Sequence, residues 1–132
     1  MAKLIYLDSS SIIKLVIQEP ESAALIEFLR KRLQRASSAV ARIEVLRSLG
    51  RAGATQAERG HAAEFLRRLA LIRIDDGILE SAAQLEPFDL RSLDALHLAS
   101  ALSLQPDLEG MVTYDRRLAA AARPLMVVWS PR

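Results

Sequence analysis

Short apolar runs and longer amphipathic stretches alternate along the whole chain. The first run, Leu4-Ile5-Tyr6-Leu7, stops at Asp8. Residues 3–7 read as a buried strand, because the run is short, apolar and bounded by turn formers. Residues 9–17 read as a short helix, closed ahead of Glu19-Pro20. Ala24, Leu25, Phe28, Leu29 and Leu33 recur at three-and-four spacing and predict a helix over 21–35. A very short strand at 36–38 and a helix over 39–49 follow, the helix closing near Gly50 and Gly53. Thr55, with Glu58 three residues on, is a capping-box signature for a helix over 55–69. Strands are then predicted at 71–74, 110–113 and 125–129, and helices at 77–84, 92–104 and 115–122. Strands alternating with helices predict an α/β domain with three α/β/α layers and a central, mostly parallel sheet of four to five strands. In such sheets the sites lie at the carboxyl ends of the strands.

At 132 residues the chain is expected to be a single domain spanning 1–132. Half of it is hydrophobic, enough for a core and too much for disorder. No apolar run approaches the roughly 20 residues a membrane helix needs, and the start lacks the pattern of a secretory signal. The absence of cysteine excludes disulfides and thiolate metal sites and fits a cytoplasmic protein. A net charge of +2 excludes a polybasic nucleic-acid binder. Lys3, Lys14 and Lys31 are the only lysines, so nearly all basic charge is arginine. Arginine suits bidentate phosphate contacts, although solvated helix faces are the plainer explanation.

Four acids stand where chemistry is expected. Asp8 follows the first strand, and Asp115 follows the strand at 110–113, so both fall on the functional edge of the sheet. Asp94 opens an apolar helix, and Glu44 lies mid-helix among apolar neighbours. Each has a plain alternative. Asp8 and Asp115 suit helix N-caps, Asp94 complements a helix dipole, and Glu44 pairs with Arg47 one turn on. Together they are harder to dismiss, because carboxylates at risk of burial are costly and like charges raise one another's pKa. A divalent cation relieves both problems, and oxygen-only ligands suit Mg²⁺ or Mn²⁺.

Leu7-Asp8-Ser9-Ser10, Glu44 within Ala41-Arg42-Ile43-Glu44-Val45, Leu90-Arg91-Ser92-Leu93-Asp94-Ala95-Leu96-His97-Leu98-Ala99 and Val112-Thr113-Tyr114-Asp115-Arg116-Arg117-Leu118 resemble, in order and spacing, the four acidic motifs of PIN domains. The likeness is greatest to the VapC-type toxins of bacterial toxin–antitoxin systems, and it runs from Leu4 to Trp129. The resemblance implies a metal-dependent ribonuclease with Asp8, Glu44, Asp94 and Asp115 holding Mg²⁺ or Mn²⁺. Ser10 and Thr113 match the motif hydroxyls that support the acids or contact the scissile phosphate. Arg116 and Arg117 stand where some relatives carry a further acid. That departure weakens the case for a second metal and leaves two arginines to meet RNA phosphates. The resemblance also implies a homodimer and a VapB-like antitoxin partner. Its C-terminal segment is expected along 21–33, or along 39–49 and 55–69, with an arginine reaching the acids.

His97 follows Asp94 by three residues; a general base is one reading and a packed core imidazole the favoured one. Arg91 suits a substrate contact and a structural ion pair equally. A receiver domain would need a lysine after the last strand, and a haloacid-dehalogenase-type phosphatase a second aspartate at position 10; neither is present. There is no P-loop or dinucleotide fingerprint. The remaining alternative is a catalytically inactive PIN-like module that binds RNA or protein.

Overall fold

The computed structural model describes residues 3–132. Five parallel strands form one sheet in the order β3-β2-β1-β4-β5. They are β1 (Leu4–Leu7), β2 (Arg35–Ser38), β3 (Ala70–Ile72), β4 (Leu108–Val112) and β5 (Val128–Trp129). The helices are α1 (Ser9–Val16), α2 (Ser22–Leu29), α3 (Ala41–Arg51), α4 (Gln56–Arg67), α5 (Asp76–Gln84), α6 (Ser92–Leu102) and α7 (Arg116–Ala122). The expected three-layer α/β/α architecture is what the chain adopts.

Strand alternation divides β1 between two cores. Ile5 and Leu7 face one, with Ile12, Leu25, Leu29, Val45, Leu49 and Leu66 from α1 to α4. Tyr6 faces the other, with Leu98, Met111 and Leu118 from α6, β4 and α7. From β1 the chain winds outward through β2 and β3 on one side and through β4 and β5 on the other. The winding therefore reverses between β1 and β4, which is where open α/β sheets place their sites. Asp8 and Asp115 lie just beyond the carboxyl ends of these two strands.

Several boundaries differ from the sequence pattern, and three of them reshape the sheet or the site. The helix expected over 21–35 ends at Leu29, because Arg35 is already part of β2. The carbonyls left open at that helix end are taken by arginines: Arg32 Nη1 donates to Phe28 O at 2.8 Å, and Arg35 Nη2 to Leu29 O at 2.8 Å. Leu33, counted in the apolar stripe, is consequently exposed. α3 starts at Ala41 and runs through Gly50, so Glu44 sits in its first turn rather than mid-helix; Gly53, with φ +77°, makes the turn that follows. The last strand is only Val128–Trp129. It packs so closely on β4 that a Cβ on Gly110 would lie 2.5 Å from the Trp129 ring and 2.6 Å from Val127 O.

Candidate active site

The first acid is both a cap and a hub. Asp8 is 3% exposed and is the N-cap of α1, accepting from Ser11 N at 3.0 Å. Its carboxylate also accepts from Ser10 Oγ at 2.7 Å and from Thr113 Oγ1. Thr113 is fully buried, and its Oγ1 in turn accepts from Asp115 N at 3.1 Å. One hydroxyl thus joins the end of β1 to the segment after β4. Ser10 Oγ makes a second link by accepting from Tyr114 N at 2.9 Å.

Asp115 divides its oxygens. Oδ1 caps α7, accepting from Arg117 N at 2.9 Å and Leu118 N at 3.0 Å. Oδ2 accepts from Arg91 Nη2 at 3.3 Å. Arg91 Nε also reaches Asp94 Oδ2 at 3.3 Å, so one guanidinium lies against both acids. Burial, and after it the charge of Asp115, push the Asp94 carboxyl above its ordinary value, against the pull of Arg91.

Glu44 does not take the partner that helical spacing offers it. It makes no ion pair with Arg47 among the described residues. Its Oε1 accepts from Ser9 Oγ at 2.7 Å and meets His97 Nε2 at 2.6 Å. Burial raises the Glu44 carboxyl, but the hydrogen bond and charge of His97, aided by Ser9, outweigh it and leave it below its ordinary range. His97 is 1% exposed, as a packed core residue would be, yet it contacts a candidate site acid. Only its three-residue spacing from Asp94 hinted at this, since Glu44 is 53 positions away.

The four acids therefore sit on one edge of the sheet and are linked through their neighbours. Thr113 joins Asp8 to Asp115, Arg91 joins Asp115 to Asp94, and Ser9 and His97 draw Glu44 between the starts of α1 and α6. Among the described residues, no three acidic or histidine side chains are gathered into a ready-made cage for a metal ion. Each carboxylate is instead met by protein donors. The donor set still fits a hard divalent cation: it consists of carboxylate and hydroxyl oxygens, and the Arg91 guanidinium already lies across Asp94 and Asp115. Arg116 is exposed and lines a 370 Å³ groove with Asp115, Arg123 and Arg132.

The PIN domain family model matches residues 5–124. The chain is 49% identical over 128 residues to ribonuclease VapC46 of Mycobacterium tuberculosis, covering 96% of this chain and 97% of that protein. In fold it matches a toxin–antitoxin complex from Klebsiella pneumoniae, with a TM-score of 0.73 at 21% identity, covering 97% of this chain and 98% of the other. It also matches M. tuberculosis VapC20, described as a sarcin–ricin loop cleaving toxin, with a TM-score of 0.72 at 15% identity, covering 89% and 94% of the two chains. The chain belongs to the PIN-domain family, and within it to the VapC ribonucleases.

Proposed function

We propose that the chain is the toxin of a VapBC-type pair and hydrolyses RNA phosphodiester bonds at Asp8, Glu44, Asp94 and Asp115 with Mg²⁺ or Mn²⁺. The observation that carries this reading is the Arg91 bridge. Two neighbouring carboxylates on the functional edge are matched by one positive group, a task a divalent ion performs more strongly. When bound, such an ion supplies shielding of phosphoryl charge and a more acidic water. The chain's own residues do the positioning. Ser10, Ser11 and Thr113 fix the Asp8 carboxylate, and the cap on Asp115 Oδ1 leaves Oδ2 to the shared position.

RNA is anionic, as is the quartet, so productive binding needs positive charge beside the acids. The groove next to Asp115 supplies it through Arg116, Arg123 and Arg132, which suits backbone contacts that position a strand without reading its sequence. For the antitoxin, exposed Ile26, Leu33 and Ile43 offer apolar contacts at α2, the loop after it and α3, a surface for an amphipathic segment. We place a homodimer interface on the α5–α6 side, where Leu79 and Phe88 are exposed at an apolar groove and Leu93 of α6 is exposed as well. No helix among the described residues is long and apolar enough to cross a membrane; an RNA substrate puts the protein's work in the cytoplasm.

The test is cleavage of end-labelled RNA by the purified chain with Mg²⁺ or Mn²⁺, against EDTA. Cleavage is expected only with metal, and sequencing the cut ends identifies the RNA. Equal cleavage in EDTA overturns the metal reading, and no cleavage of any RNA favours a binding module.

A further inference from the structure

A buried histidine stands one turn along α6 from Asp94. His97 Nδ1 lies 2.7 Å from Tyr6 Oη, and Nε2 lies 2.6 Å from Glu44 Oε1. Tyr6 is fully buried on the central strand β1, and its ring meets the imidazole edge-on at 5.8 Å between centroids. An ionised carboxylate only accepts, so Nε2 carries hydrogen and donates to Glu44. Nδ1 is paired with the Tyr6 hydroxyl. Ser9 Oγ, 3.2 Å from Nε2, donates to the same Oε1 at 2.7 Å.

Both donors fall on Oε1, which leaves Oε2 without a protein donor among the described residues. A glutamate with two bonds on one oxygen has lost the rotation of its carboxyl plane, and its other oxygen is committed to one direction. The anchor of that direction is β1 itself, because Tyr6 holds the ring and the ring holds the acid. Mutating an outer-shell side chain that orients a metal ligand typically costs about 10–100-fold in metal affinity.

We infer that His97 is a positioning residue: with Ser9 it clamps Glu44 Oε1, so that Oε2 is presented to a divalent cation in a fixed orientation set by Tyr6 and β1. The inference rests on the proposed metal-dependent reading of the acids. Removing the clamp should cost cation affinity while the fold survives, and a side chain that restores a donor near the Nε2 position should recover it.

The experiment is calorimetric titration of Mn²⁺ into the full chain and its variants, beside thermal melts in EDTA. His97→Leu should weaken Mn²⁺ binding about tenfold, in line with other outer-shell changes. His97→Gln, whose amide can donate to Glu44, should recover most of the loss. A merely structural histidine would lower the melting temperature in both variants and leave Mn²⁺ affinity alone. A folded His97→Leu chain with parental affinity overturns the clamp. Where His97→Leu does not fold, Ser9→Ala removes the other Oε1 donor from a partly exposed position; parental affinity there likewise overturns it. If the parent chain binds no Mn²⁺, the metal reading falls and the clamp falls with it, an outcome distinct from a parent that binds and variants that bind equally well.

Discussion

The two ends of the acidic edge handle negative charge by different physics. At the inner end Asp8 and Glu44 are met by hydroxyls, a backbone N–H and a buried imidazole, all fixed by the sheet and by α1 and α6. At the outer end Asp94 and Asp115 share a single arginine whose side chain is 70% exposed. Fixed short hydrogen bonds stabilise a carboxylate without mobile charge, whereas an exposed ion pair contributes little and is easily exchanged. The inner acids are thus preorganised, and the outer pair is open to exchange. A cation binding at the outer end would have to displace Arg91.

The largest effects should come from the acids themselves, and the two ends should part on stability. Asp8→Asn, Asp94→Asn and Asp115→Asn are each expected to lower the rate of RNA cleavage by more than the roughly hundred-fold of an outer-shell change. Asp8→Asn should in addition cost about 1–3 kcal/mol, because an amide cannot accept all the donors now aimed at the carboxylate. Asp94→Asn should cost no such amount. Cleavage rates and denaturant melts of the three variants check both statements. An Asp8→Asn chain as stable as its parent would remove the distinction between the ends.

Exchange at the outer end gives a smaller effect of opposite sign. Arg91→Gln removes the guanidinium that competes for Asp94 and Asp115. Mn²⁺ binding should therefore tighten several-fold, while stability in EDTA falls by no more than about 1 kcal/mol, the usual ceiling for an exposed pair. Calorimetric titration measures it. Weaker binding would mean that Arg91 assists the ion rather than standing in for it. The same logic applies to inhibition: an antitoxin arginine would find a position that an arginine of this chain already occupies. Replacing that arginine by alanine should restore part of the RNase activity inside an intact complex.

What the sequence made legible follows from how local each feature is. Strand ends and helix starts are written in short apolar runs, so the positions of Asp8 and Asp115 just past β1 and β4 could be read directly, as could the capping box of Thr55 and Glu58. By position alone Asp8 and Asp115 suit a cap and a metal ligand equally; the structure shows the caps, and in Asp115 Oδ2 remains outside the cap. The end of α2 is not legible, because Leu33 continues an apolar spacing that the chain abandons to reach β2. The partner of Glu44 was illegible for a different reason. Arg47 was the near choice by helical spacing, and His97 is a contact made only by the packing of α6 against the start of α1 and α3. Arg91 bridging two acids depends likewise on α6 and α7 meeting at one edge.

The smallest effect is also the most direct comparison of the two ends, because their pKa shifts have opposite signs. Glu44 is held below its ordinary value of 4.5. Its charged form is favoured by folding, so it contributes stability above the unfolded value and loses it as pH falls through the folded one. Asp94 is held above its ordinary value of 3.8, with burial the chief cause. It contributes stability below the unfolded value and loses it as pH rises through the folded one. In EDTA at pH 7, Glu44→Gln should therefore lower the unfolding free energy and Asp94→Asn raise it, each by about 1 kcal/mol, the ordinary size of a single substitution. Both differences should shrink as the pH falls below the carboxylate range, because parent and variant then carry the same neutral group. The Glu44→Gln chain should approach its parent from below and the Asp94→Asn chain from above. Paired melts at pH 7 and at about pH 3 decide it: two variants that move in the same direction would mean that both ends are governed by one local field, and that Arg91 balances Asp94 as firmly as His97 balances Glu44.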